Sequence, residues 1–400
     1  MPWKVSTPVD LRKELMRRLA AGERMVDLCQ AYGISRKTGH KFKARFEQQG
    51  EAGLEDLSRA PKVIPRRTPP DIVELIVSER RAHPTWGARK LKVALETRGY
   101  HQLPSHGAIE RMLSRAGLVK GRKRSARRGL RQPAQLRAAE APNALWCIDY
   151  KGHFRLGDGG YCYPLTLTDQ HSRYLLACEG MAAISDEEAR HVCQDIFSRF
   201  GLPETIRSDN GVPFASTGLC GLTRLSAYFL RLGIDLEYID PGHPEQNGCH
   251  ERMHRTLKAE TTRPARDNLL QQQERFDDFH EEFNHVRPHQ ALNMRRPADV
   301  YVPSSRPLPS PLPDLTYPFH DDAVRVSKWG EIHIAGHGPV KLSKALAGQY
   351  VGIREELDGR WLVSFASIDL GLAVSGRRLM SLDPPPANTP ELTHVQEVLS

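Results

Sequence analysis

The sequence predicts a multidomain protein with an all-α N-terminal part, a central α/β domain and a C-terminal all-β unit. Three observations predict it. Up to residue 119 apolar residues recur at helical spacing, and from Ala144 the pattern changes to alternating and branched residues broken by helical stretches. Beyond the Pro-rich stretch VPSSRPLPSPLPDLTYP only short strand-like runs with glycine turns follow.

The 400 residues exceed one ordinary domain. Net charge is +9 but unevenly placed: residues 1–140 carry 31 Lys plus Arg against 14 Asp plus Glu, and the remainder 26 against 34. The front third is therefore the part suited to a polyanion. Seven cysteines form no CxxC pair, so neither a zinc site nor a disulfide framework is indicated, and a reducing cytosol suits them. The N-terminus MPWKVSTPVDLRKEL lacks a secretory pattern, and no apolar run approaches the roughly 18 residues of a membrane helix. A soluble cytoplasmic chain with no membrane partner is expected.

Residues 1–58 read as three helices, with Ser35 placed to cap the third. A helix, a tight Gly-containing turn and a second helix bearing Arg36, Lys37, His40, Lys41 and Lys43 resemble a helix-turn-helix, with Arg36, Lys37, Lys41 and Lys43 as DNA contacts. A helical bundle with a solvated basic face is the other reading. After the break SRAPKVIPRRTPP, residues 68–119 give three more helices, with Thr85 and Ser105 as caps and Trp86 as a packing residue. Residues 120–142 are basic and nearly devoid of apolar side chains, an extended linker in which Arg122, Lys123 and Arg124 add phosphate contacts or simply solubility.

The central domain, 143–302, opens with three strand-like runs, LWCIDYKGHFRL, YCYPLTLT and SRYLLACEG, then a helix and the short strand ETIRS; a helix over 218–232, the strand DLEYI and a helix opened by Pro244 and Asn247-Gly248 follow. Asp149 falls in the first strand, Asp209 at the end of ETIRS before Asn210-Gly211, and Glu251 near the start of the last helix. Singly, each has an ordinary structural explanation as a turn or helix-start residue. Together, three converging carboxylates repel unless a cation is shared among them. Hard oxygens suit Mg²⁺, and a pair of such ions clamps the attacking and leaving oxygens of a phosphoryl displacement. Phosphodiester chemistry is the substrate class this implies.

The blocks WCIDYKG, TLTDQHSRY, IRSDNG, PGHPEQNGCHERMHRTLK and FNHVRPHQAL resemble the integrase core of bacterial insertion-sequence transposases, relatives of retroviral integrases. The resemblance implies a ribonuclease-H-like core in which Asp149, Asp209 and Glu251 are the catalytic Asp-Asp-Glu triad and hold two Mg²⁺ ions, with Mn²⁺ as a substitute. It also implies double-stranded DNA as partner, both element ends and target, bound by a homo-oligomer, and no small-molecule cofactor. The best-known members have 35 residues between the second Asp and the Glu; here there are 41, the excess lying around FASTGLCGLTRLSAYF. On the last helix His254, Arg255 and Lys258 follow Glu251 by three, four and seven positions, which predicts one cationic face able to grip DNA, and the resemblance matches Lys258 to a lysine that contacts the transposon end. A surface Glu251–Arg255 pair is the plain reading of Arg255.

Asp169, at a strand end before His-Ser-Arg, is expected to be spent on turn hydrogen bonds. Residues 303–318 read as an extended Pro-rich spacer, 319–382 as a small β-barrel for DNA, subunit or other contacts, and 383–400 as a disordered tail. A transposase acting on the inverted ends of its element is the activity implied. A DNA-binding regulator that has lost catalysis and a nuclease without joining activity are the alternatives.

Overall fold

The structure is a computed structural model and describes residues 7–57, 67–119, 136–240, 243–356, 359–374 and 379–380. Arg122, Lys123, Arg124 and the C-terminal tail lie outside the described residues. The chain divides into two compact units, 1–69 and 70–400.

The first unit holds α1 (Pro8–Ala20), α2 (Met25–Ala31) and α3 (Arg36–Gln49). Thr7 and Asp10 form a capping box that starts α1, and Ser35 accepts the Thr38 N–H to start α3. Leu15, Met16, Leu28 and Leu54 make the small core. Gly39 leaves room for side chains of α2: a Cβ there would lie 2.6 Å from Cys29 Sγ and 2.8 Å from Met25 Sδ, so both would have to shift. Arg36, Lys37 and Lys41 are exposed on α3, whereas Lys43 is half-buried and 3.7 Å from Glu47.

The second unit begins with α4 (Pro70–Ala82), α5 (Ala88–Thr97) and α6 (His106–Arg115) around Ile76, Trp86, Leu91, Leu95 and Ile109. Trp86 is fully buried and His83 stacks on it at 3.9 Å, so it is a packing residue. Ser105 caps α6 as expected. Thr85 does not cap α5: the N-cap is Gly87, and the Thr85 hydroxyl donates instead to Glu260.

The core sheet contains β1 (Leu145–Tyr150), the two-residue β2 (Phe154–Arg155), β3 (Tyr161–Asp169) and β4 (Leu175–Met181). After α7 (Asp186–Phe200) it continues with β5 (Thr205–Ser208), then α8 (Arg224–Arg231) and β6 (Asp235–Tyr238). β3 pairs antiparallel with β4 on one edge and β1 on the other; β5 and β6 add in parallel beyond β1. This is a mixed sheet of the kind anticipated. α7 and α8 cover one face, burying Trp146, Phe197, Ile206, Leu225 and Phe229. α9 (Gly248–Thr261) and α10 (Leu269–Glu281) cover the other, where Cys162, Cys178, Met253, Leu257 and Phe276 meet. The helix expected over 218–232 is shorter, because Thr223 caps α8 and a separate turn, Leu219–Gly221, precedes it.

The Pro-rich stretch is extended but is no free spacer. Ser304 N donates to Phe200, Leu202 N to Arg306, and the Arg306 guanidinium to the carbonyls of Pro203 and Gly233. Beyond it lie β7 (Asp322–Arg325), β8 (Glu331–Ile334), β9 (Gly338–Lys341), β10 (Tyr350–Glu355), β11 (Trp361–Phe365), β12 (Ile368–Ala373) and β13 (Leu379–Met380). They form a five-strand antiparallel sheet and a separate β8–β9 hairpin about one core; among the described residues these two sheets do not close into a barrel. Among the described residues no helix is long and apolar enough to cross a membrane.

Gly39→Val is expected to lower stability by roughly 1–3 kcal/mol, the usual cost of overpacking. Urea unfolding followed by circular dichroism checks it, and an unchanged midpoint would show that α2 and α3 can part without cost.

Candidate active site

Strand pairing places the first two carboxylates. β1 and β5 run parallel with Leu145 opposite Thr205 and Cys147 opposite Arg207, and the same register carried two residues on sets Asp209 level with Asp149. Neighbouring strands lie ~4.8 Å apart and same-level residues of parallel neighbours face the same side, so both carboxylates belong to one face. Across the other edge Asp149 pairs with Thr166. α9 crosses this same face, and Glu251 stands in its first turn, exposed. Asp209 Oδ1 accepts the Gly211 N–H at 3.0 Å, which orients the turn, and the Asn210 side-chain amide donates to the Ile239 carbonyl at 2.6 Å.

Arg207 secures the approach of α9. It is almost wholly buried, forks onto Glu237 of β6 and donates to the carbonyls of Gln246 and Arg137. Gln246 in turn exchanges hydrogen bonds with Asp240. One guanidinium thus ties β5, β6 and the entry to α9, the three segments on which Asp209 and Glu251 depend.

A buried polar chain, not foreseen from the sequence, lies behind Asp149. His250 and His254 are 1% and 2% exposed. Thr168 Oγ1 lies 2.7 Å from His250 Nδ1, His250 Nε2 is 2.9 Å from Thr166 Oγ1, and Thr166 Oγ1 is 2.7 Å from His254 Nε2. His254 Nδ1 faces Asp149 Oδ2 at 3.6 Å. Burial, and then the Lys151 charge, lower His250 to about 3; burial and the neighbouring His250 lower His254 as well. Both rings are therefore neutral, and the Thr166 hydroxyl, which also donates to the Asp149 carbonyl at 3.1 Å, joins the two imidazoles to β1. His254 is consequently no DNA-gripping cation, which corrects its assignment to an exposed face with Arg255 and Lys258. Those two are exposed beside Glu251, and Glu251 and Arg255 form no ion pair among the described residues. Asp149, His250 and His254 offer ligand atoms within 4.8 Å of one another. With three of the four ring nitrogens engaged by threonine hydroxyls, the donors left open to solvent on this face are carboxylate oxygens.

Asp149 carries the electrostatic cost. Burial first, and then the charge of Asp209 with a smaller share from Glu251, push its carboxyl up to about 7, against the opposing pull of Lys151. Asp209 and Glu251 are thus both within electrostatic reach of Asp149. Asp169, by contrast, is spent structurally: Oδ1 accepts Asn143 N–H at 2.8 Å, and Oδ2 accepts Ser172 N–H at 2.6 Å and Ser172 Oγ at 2.5 Å.

The mixed sheet with carboxylates on one face is preceded in the chain by two helical modules. Integrase core domain models match residues 139–244 and 232–297, a helix-turn-helix domain model matches 11–62 and a homeodomain-like model 38–113. An uncharacterized 31.7 kDa protein of insertion element IS407 from Burkholderia multivorans is 26% identical over 68% of this chain and 88% of its own length. The Gag-Pol polyprotein of baboon endogenous virus is 30% identical over 47% of the chain. The chain spans about a tenth of that polyprotein's length. Among solved structures, the HTLV-2 integrase catalytic core domain in complex with magnesium aligns over 41% of this chain and 99% of its own, at 15% identity and a TM-score of 0.33. A simian T-cell lymphotropic virus intasome chain aligns over 77% of this chain and 99% of its own, at 14% identity and a TM-score of 0.37. Residues 139–297 thus match integrase core domain models, and the chain is similar in this part to an insertion-element protein and to retroviral polyproteins.

Two outcomes test this geometry. Between pH 4 and 7 the folded protein keeps on Asp149 a proton that an ordinary carboxyl has released, so the carboxylate's cost grows with pH and is complete above 7. Asp149→Asn is therefore expected to raise Tm at pH 8, with the gain fading toward pH 4, by differential scanning calorimetry in chelator. Thr166→Val strips a partner from both imidazoles and is expected to cost roughly 1–3 kcal/mol per orphaned group, whereas Thr166→Ser retains most of the stability. Equal denaturation midpoints for the two variants would show that the chain is not bonded as described.

Proposed function

We propose that this chain is a transposase that binds the terminal inverted repeats of its mobile element through its N-terminal helical modules and cuts and joins DNA at Asp149, Asp209 and Glu251. The observation that carries the reading is the set of three carboxylates on one face of an integrase core, with the charge of Asp149 held at a cost. Two parallel strands and a helix held by a buried arginine bring like charges together although each strand end and helix start had cheaper residues available.

The donor set fits a hard divalent cation. Asp149, Asp209 and Glu251 are the residues to hold Mg²⁺ or Mn²⁺, two ions in this reading, and oxygen-only donors suit these metals. When bound, the metal supplies Lewis acidity and a more acidic water for phosphodiester displacement. The chain's own part is to fix the carboxylates: His254 steadies Asp149, the Gly211 amide steadies Asp209, and Arg207 seats the helix that bears Glu251. The reaction class is hydrolysis that breaks a P–O3′ bond at the element end and frees a 3′-hydroxyl. That hydroxyl then attacks a target phosphorus and displaces the target's 3′-oxygen.

In this reading Arg36, Lys37, Lys41 and, less freely, Lys43 meet the element end, and Arg122, Lys123 and Arg124 add contacts to its phosphates. Arg255 and Lys258 hold the strand beside Glu251, and the C-terminal β unit is a barrel-type module for DNA or subunit contact. Processing two ends together implies a homo-oligomer on DNA, working in the bacterial cytoplasm on the nucleoid.

Labelled DNA carrying the element's flanking ends, incubated with protein and Mg²⁺ or Mn²⁺, is expected to yield cleaved and joined products that Glu251→Gln abolishes. End binding without products from the wild-type protein would move the reading to a DNA-binding regulator. The paired substitution Arg36→Ala with Lys37→Ala is expected to weaken end binding and to lower the slope of log K against log salt by about 1 per lost phosphate contact. An unchanged slope would place the recognition surface elsewhere.

A further inference from the structure

Behind the catalytic helix lies a second feature that the proposed chemistry does not use. A cavity of about 740 Å³ opens between α5, α9, the turn after β3 and the segment 283–291. Its charged lining is dominated by cations: Lys90, Arg173, Arg252 and Arg287, with His289 beside them. The carboxylates nearby are already committed. Asp169 is saturated by Asn143 and Ser172, while Glu260 and Glu282 both pair with Arg287. Lys90, Arg173 and Arg252 have no ion-pair partner among the described residues.

The donors are also under-used. Arg287 is only 4% exposed, yet its Nε has no hydrogen-bond partner; neither have Arg173 Nη1 and His289 Nε2. Buried guanidinium N–H groups without acceptors cost free energy and are uncommon in folded proteins. Arg173 sits in the left-handed region, φ 65°, in the tight β3–β4 turn, where an unbranched surface residue such as Asn would be easier to accommodate. Burial first, and then the charge of Arg287, lower Lys90 to about 8 against the opposing pull of Glu260 and Glu282. The rim is open, since Arg252, Gln290 and Ala291 are exposed.

We propose that this cavity is a phosphate-binding site, filled by a backbone phosphate of the DNA bound by the core. Arginine forks and a lysine point charge are the groups that recognise a phosphate dianion or diester, and an anion here would offset part of the positive charge of three cations that lack ion pairs among the described residues. The site joins the second helical module, through Lys90, to the catalytic helix, through Arg252, so an occupying phosphate bridges two parts that both face nucleic acid in the reading above. The site itself depends on that reading only for the source of the phosphate, which DNA or a free anion can supply.

The test uses the full-length chain. Thermal melting in sodium phosphate is compared with sodium chloride at matched ionic strength for wild type, Lys90→Gln, Arg252→Gln and the charge-keeping Lys90→Arg. A phosphate-specific rise in Tm in wild type and Lys90→Arg, lost in the two glutamine variants, supports the site. In parallel, DNA binding is measured against salt. A fall of about 1 in the slope for each glutamine variant, with Lys90→Arg unchanged, identifies DNA as the source. Loss of the phosphate shift with an unchanged slope supports the site with a free anion as its occupant. Identical phosphate shifts in all four proteins, or none in any, together with unchanged slopes, overturn the proposal. Because the melting arm needs no DNA, it separates failure of this site from failure of the transposase reading.

Discussion

Like-charge repulsion on one face of the sheet is the constraint around which the core is built. Two carboxylates stand just beyond the paired part of adjacent parallel strands, where the β1–β5 ladder sets them level, and α9 adds a third. Because burial is the larger cause of the Asp149 shift, the site is kept partly dry as well as acidic. Such an arrangement persists only where the surroundings fix it from several sides. Here the surroundings are the threonine–histidine chain under Asp149 and the Arg207 clamp under the other two. Both networks are buried and bonded, so they can resist a repulsion that a solvated loop would relax.

The positions of the carboxylates were legible in the sequence because each sits at a local signal: a strand rich in branched residues, an Asn-Gly turn, a helix opened by Pro and Asn-Gly. What supports them was not. His254 stands three residues from Glu251, and helical spacing alone puts such a residue near the same face. The face is about 100° wide, however, and α9 lies with that edge against β3, so the ring goes to Thr166 instead of solvent. Only the partner strand decides this, and pairing across 88 residues is invisible to local pattern. Thr85 failed as a cap for the same reason, since a carboxylate on a distant helix offers its hydroxyl a stronger partner than an amide of its own helix.

The unusual spacing between Asp209 and Glu251 also has a structural sense. Leu219 and Leu222, from the lengthened stretch, pack with Ala227 and Leu230 of α8 into the core of the C-terminal β unit. The Arg306 guanidinium pins the chain between core and β unit to three core carbonyls, those of Pro203, Leu232 and Gly233. Proline content made the connection read as a spacer, which was right about its extension and silent about its anchoring. The extra residues are therefore less a longer loop than a seat for the last domain, and this seat is built from the same segment that leads from Asp209 toward Glu251.

The same economy extends to the second helical module. Arg287 is buried between Glu260 on α9, Glu282 and Thr85, with Trp86 and Phe283 against its guanidinium. A buried pair of this kind adds little net stability over apolar packing, but breaking it strands a charge. Its effect is to favour the arrangement of module and core in which Arg287 pairs with Glu260 and Glu282. Since Glu260 lies on the helix that carries Glu251, the orientation of that helix and the seating of the module are set by one shared group. Whatever the module holds is then held in fixed register with the carboxylates, because one buried guanidinium sets both.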